Sequence, residues 1–95
     1  MSNTNCWVKR AQKYRYSQDD RTLAWKFRQE IEPKINAFLD DPTQNTFICG
    51  IFDLSREPWR MAVYLDFRKF GIKIQEKQTD NLTEVILIKK KFRDN

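Results

Sequence analysis

Apolar and polar positions follow two rhythms along this chain, and each predicts an element. Ala24, Phe27, Ile31, Ile35 and Phe38 recur at spacings of three and four, which makes one apolar stripe on a helix from Ser17 to Leu39. Ser17 supplies an N-cap hydroxyl, and Asp19 and Asp20 complement the positive end of the helix dipole. Pro33 lies off the stripe. It lacks an amide and crowds the carbonyl four residues earlier, so a kink or break near Ile31 is expected. Asp40-Asp41-Pro42 ends the helix. Phe47-Ile48-Cys49-Gly50-Ile51-Phe52 is instead apolar on both alternating faces, the pattern of a strand covered on both sides.

The segment Glu57 to Phe70 fits a helix with Trp59, Ala62, Val63, Phe67 and Phe70 on its buried face. As a strand, Met61, Val63, Leu65 and Phe67 alternate against Arg60, Tyr64, Asp66 and Arg68. Boundary signals favour the helix: Ser55 as N-cap, Pro58 near the first turn, Arg68 and Lys69 in the last, and Gly71 just beyond. Ile72 to Lys77 and Leu82 to Phe92 flank Thr79-Asp80-Asn81 and read as a hairpin. Cys6 to Tyr16 is two-sided. Trp7, Ala11 and Tyr14 keep helical spacing, while Trp7, Val8, Tyr14 and Tyr16 favour a strand, which is the reading taken here. The predicted architecture is an α+β two-layer sandwich in β-α-β-α-β-β order. Its central β-α-β crossover sets two strands parallel in a mixed sheet, with two helices on one face.

At 95 residues the chain is expected to be one domain, 1–95, with residues 1–5 disordered. Three tryptophans, three tyrosines and seven phenylalanines suffice for a real core. No apolar run approaches the roughly 20 residues that span a bilayer, and no export signal opens the chain. Cys6 and Cys49 are too few to staple a secreted scaffold, and Cys49 reads as a reduced core thiol. An intracellular setting, cytoplasmic or nucleoid/nuclear, and no membrane are expected.

Charge changes the picture. Residues 1–16 carry Lys9, Arg10, Lys13 and Arg15 with no acid; residues 17–55 hold four bases and seven acids; residues 56–95 hold ten bases and six acids. Both ends are basic within a net +5. In the first run the cations interleave with Trp7, Tyr14 and Tyr16, a mixture that suits phosphates plus stacking on unpaired bases. Arg56 and Arg60 stand one turn apart at a predicted helix start, where a phosphate would meet two guanidinium forks. Lys89-Lys90-Lys91 and Arg93 follow Val85-Ile86-Leu87-Ile88, either shielding an edge or lining a phosphate track, with Lys89 and Lys91 the contacts expected.

Catalysis finds no set of residues. There is no histidine, no glycine-rich phosphate loop and no cysteine cluster, so neither a catalytic triad, a metal nor a cofactor is expected. Asp53 and Glu57 read as turn and first-turn partners.

The stretch Ser55-Arg56-Glu57-Pro58-Trp59-Arg60-Met61-Ala62-Val63 resembles the basic strand-to-helix turn of the Alba chromatin-protein family. Leu82-Thr83-Glu84-Val85-Ile86-Leu87-Ile88-Lys89-Lys90 is similar to that family's closing strand. The resemblance implies the β-α-β-α-β-β fold and non-enzymatic RNA or DNA binding, often as a homodimer. It also implies backbone contacts from Arg56, Arg60, Lys13 and Arg15. The family's glycine in the strand-to-helix turn is absent, and the hairpin is short.

The expected function is therefore low-specificity binding of nucleic-acid phosphates. The competing expectation is a protein-binding module, such as a small viral or mobile-element inhibitor of a host factor. Trp25, Tyr64 and Trp59 would be its exposed anchors. A third is a RelE-type endoribonuclease toxin, which would need Glu57–Phe70 to be a strand.

Overall fold

The computed structural model describes residues 6–90. Three helices and a three-stranded sheet follow in the order α1 (Cys6–Lys13), α2 (Gln18–Asp40), β1 (Thr46–Phe52), α3 (Trp59–Asp66), β2 (Ile72–Thr79) and β3 (Leu82–Lys89). A 3₁₀ turn, Phe67–Phe70, joins α3 to β2. The α+β class stands, but the expected β-α-β-α-β-β order, mixed sheet and pair of helices do not. The order is α-α-β-α-β-β, so the topology implied by the Alba resemblance is also replaced.

The first correction is α1, expected as a strand. Its buried contact is Ala11, with Trp7 and Val8 packed against the core at helical spacing. Its start is held from a distance: Glu76 of β2 accepts the Trp7 amide on Oε1 and the Val8 amide on Oε2, each at 3.0 Å. A carboxylate at a helix start satisfies orphan donors and opposes the dipole. That partner lies in β2, so local propensity carries no trace of it.

The stripe of α2 is as read, with Ile31, Ile35 and Phe38 buried. Ser17 Oγ accepts the Asp20 amide at 3.1 Å. Of the kink or break expected near Ile31, no break occurs, and the helix runs through Pro33 to Asp40. Packing of the stripe on either side of Pro33 outweighs one missing backbone bond. Phe38 meets Phe47 of β1, ring centroids 5.6 Å apart.

The sheet order is β1-β3-β2, with both pairings antiparallel. β1 and β2 point the same way, as a crossover requires, but β3 inserts between them. No parallel pair forms among the described residues. β1 is thus an edge strand, and one of its faces is uncovered. A bulge explains its misleading pattern. Ile48 pairs with Ile86 and Gly50 with Val85, which leaves Cys49 as an extra residue. The alternation shifts by one there, so Phe47, Cys49 and Phe52 pack against the core while Ile48 (63% exposed) and Ile51 (55%) face outward. Gly50 sits at φ +131°, with the Phe52 ring 3.0 Å from where a Cβ would stand.

α3 confirms the helical reading of its segment, although Ser55 does not cap it. Asp53 instead closes the turn before the helix: its carboxylate accepts the Ser55 amide (3.2 Å) and hydroxyl, and its carbonyl accepts the Arg56 and Glu57 amides. α3 begins only after Pro58. Gly71 adopts the left-handed φ of +85° that closes the 3₁₀ turn. The hairpin turns through Asp80, at φ +56°, and Asn81. Ile72 and Ile74 of β2, Val85 and Leu87 of β3, and Leu54, Met61, Val63, Tyr64 and Phe67 complete the core. Phe70, expected inside, is 53% exposed.

Candidate nucleic-acid interface

The basic run at the start of the chain is a helix and its exit. Lys9, Arg10 and Lys13 of α1 are exposed, as are Tyr14 and Arg15 beyond it. Trp7 is half-buried, and the Arg10 guanidinium lies 4.9 Å from its ring. Tyr14 is 43% exposed and packs on Tyr16 with ring centroids 4.8 Å apart. The Tyr16 hydroxyl reaches the Ala11 and Pro58 carbonyls at 3.3 and 3.5 Å, pinning the end of α1 to the start of α3. Burial, then neighbouring Tyr14 and Asp20, raises the Tyr16 pKa above its ordinary value. Of the three rings read as stacking groups, Tyr14 is the accessible one.

The Arg56–Arg60 fork does not assemble. Arg56 is open to solvent, its side chain 84% exposed, with Asp53 at 3.7 Å. Arg60 is only 19% exposed and donates Nε to Glu57 at 2.7 Å. Its guanidinium lies 4.3 to 4.9 Å from the rings of Phe52, Phe27 and Trp59. It is a packed, paired cation. Lys89 is engaged too, donating Nζ to the Asp41 carbonyl above the Phe38 ring. Lys91 and Arg93 lie outside the described residues.

Two hollows add what the sequence pattern did not bring together. One, of about 190 Å³, is lined by Arg68, Lys73 and Lys90 around Val8, Ile72 and Ile74, with no carboxylate in its wall. Arg68 comes from the 3₁₀ turn, Lys73 from β2 and Lys90 from the end of β3, where its amide donates to the Gly71 carbonyl at 2.9 Å. Sequence reasoning gave Arg68 only a helix-dipole role, because the convergence depends on β3 lying beside β2.

The other is a groove of about 300 Å³ between α2 and α3. Ala24, Ala62 and Val63 form its small-residue floor, and Tyr16 and Trp25 stand beside it. Asp20 and Arg21 mark one part, the Arg28–Asp66 ion pair another. Trp25, expected as an exposed anchor, is 60% exposed. Trp59 and Tyr64, expected as exposed anchors, are instead buried. α1 links the hollows: Val8 lines the basic one, and its exit residue Tyr16 lines the groove.

Beneath this surface Tyr64 is fully buried, its hydroxyl beside the Cys49 thiol and the Arg60 guanidinium without a well-formed hydrogen bond. Burial pushes the Cys49 thiol up to about 12 and raises Tyr64 as well, so both are neutral structural groups near pH 7. Among the described residues no cluster of metal-ligating side chains forms, and no helix is long and apolar enough to cross a membrane. Comparison with protein-family models, curated proteins and solved structures finds no match for this chain.

Proposed function

We propose that the protein binds nucleic acid through its phosphates, with little sequence preference and no chemical step. The observation that carries this reading is the hollow where Arg68, Lys73 and Lys90 converge without an acid. The three cations are exposed and so reachable from solvent, and a phosphate offers them both charge and acceptors. α1 extends the surface with Lys9, Arg10 and Lys13, and Arg15 follows. Arg60 and Lys89 are left out because their charges are already occupied within the fold.

The test is binding of labelled RNA and DNA across a salt series, with Arg68, Lys73 and Lys90 changed together to glutamine. Each phosphate contact on a single strand contributes about 0.7 to the slope of log affinity against log salt. The triple variant is expected to lower that slope by about 2. Absence of binding at low salt overturns the reading.

A protein partner is a second reading, favoured by the outer sheet face. There Ile48 and Ile51 are more than half exposed beside half-buried Ile86 and Ile88. Binding through that face is expected to persist at high salt.

A further inference from the structure

We infer that the groove between α2 and α3 receives an unpaired nucleobase, so that the nucleic acid held by the basic surface is single-stranded. This rests on the phosphate-binding reading and adds the class of strand to it. A flat ring needs a floor without projecting side chains, and Ala24, Ala62 and Val63 supply one. It also needs a face to stack on. Trp25 offers an indole 60% exposed at the groove, and indole is an effective partner for any base.

Polar groups at the groove fit the edge and backbone of a nucleotide. The Arg28 and Asp66 charges already satisfy each other. Asp20 makes no ion pair among the described residues, so its carboxylate is free to accept from a base amine. Arg21 beside it is suited to a phosphate. The volume of about 300 Å³ leaves room for one base. Tyr16, which lines the groove, packs on Tyr14, and Tyr14 lies between Lys13 and Arg15. The exit of α1 therefore leads from its cations to the groove, where Arg21 is the cation not paired with Asp66. A paired base would have to leave its duplex first, and that unpairing disfavours double strands.

The experiment is fluorescence anisotropy at low salt, using a fluorescein-labelled single-stranded RNA and the duplex formed from it. Trp25→Ala is compared with Trp25→Phe. Trp25 is exposed, and circular dichroism verifies that both variants fold. Loss of one stacked base is expected to weaken single-strand binding at least about fivefold. Duplex binding stays unchanged, and phenylalanine restores most of the loss. If Trp25→Ala leaves single-strand binding intact while the Arg68/Lys73/Lys90 variant loses it, the inference fails and the phosphate reading stands. If neither form binds, the phosphate reading has failed and this inference with it.

Discussion

Glu76 can be tested as the residue that makes α1 a helix. Its two oxygens accept the Trp7 and Val8 amides at 3.0 Å each. It sits on the core side of β2, beyond Ile72 and Ile74, and is half-buried. A side-chain cap is worth roughly 0.5–2 kcal/mol, and a hydrogen bond to a charged group about 1.5–3 kcal/mol. Two such bonds from one partly screened carboxylate place Glu76→Ala at about 2 kcal/mol. For a domain of this size that is a fall in Tm of roughly 8–16 °C. Glu76→Gln keeps one acceptor oxygen and loses the charge, so about half the effect is expected. Thermal unfolding followed by circular dichroism measures both variants. Hydrogen exchange locates the damage, which should be concentrated in α1 while α2 stays protected. A Tm within about 2 °C of the parent for Glu76→Ala, with α1 amides still protected, would refute the clamp, because the stated bonds could not then be supporting the helix.

Two further expectations follow from packing and burial. Arg60→Ala should destabilise by about 2 kcal/mol, through lost contacts with three rings and an unpaired Glu57, whereas Arg56→Ala should stay within about 0.5 kcal/mol. Equal urea midpoints for the two would contradict the difference in burial. With the Cys49 thiol raised to about 12, the folded state keeps its proton where the unfolded chain gives it up. The thiol's contribution to stability is therefore flat below about pH 9 and falls as pH rises toward about 12. Cys49→Ala should make the alkaline decline shallower in urea titrations at stepped pH, leaving the part due to Tyr64; an unchanged decline counts against it.

What the sequence disclosed was the local part. α2 was legible because its cap, acids and stripe all lie within one segment, and Gly71 because a left-handed φ suits glycine. α1 was misread because its decisive partner stands sixty-eight residues from Val8. β1 was misread because a bulge at Cys49 mimics the pattern of a strand buried on both faces. Pairing order is similarly invisible to periodicity, so the meeting of Arg68, Lys73 and Lys90 could not be foreseen. Trp25 was named as an exposed anchor, but its groove required α3 to be placed beside α2. The Arg56–Arg60 pair failed for a related reason. Arg56 lies in the turn before α3, not on the helix with Arg60, and spacing does not show that three rings and a carboxylate already claim Arg60.

The position of β3 governs the order in which this molecule can be made. β1 and β2 touch only through it, yet it is the last strand of the described chain to be synthesised. Until Leu82–Lys89 arrives, β1 has no neighbour to exchange hydrogen bonds with, and its apolar side chains have only α2 and α3 to lean on. β2 and β3 are joined by a tight turn and pair locally, so the pairing of β3 with β1 is the late, non-local step that closes the sheet.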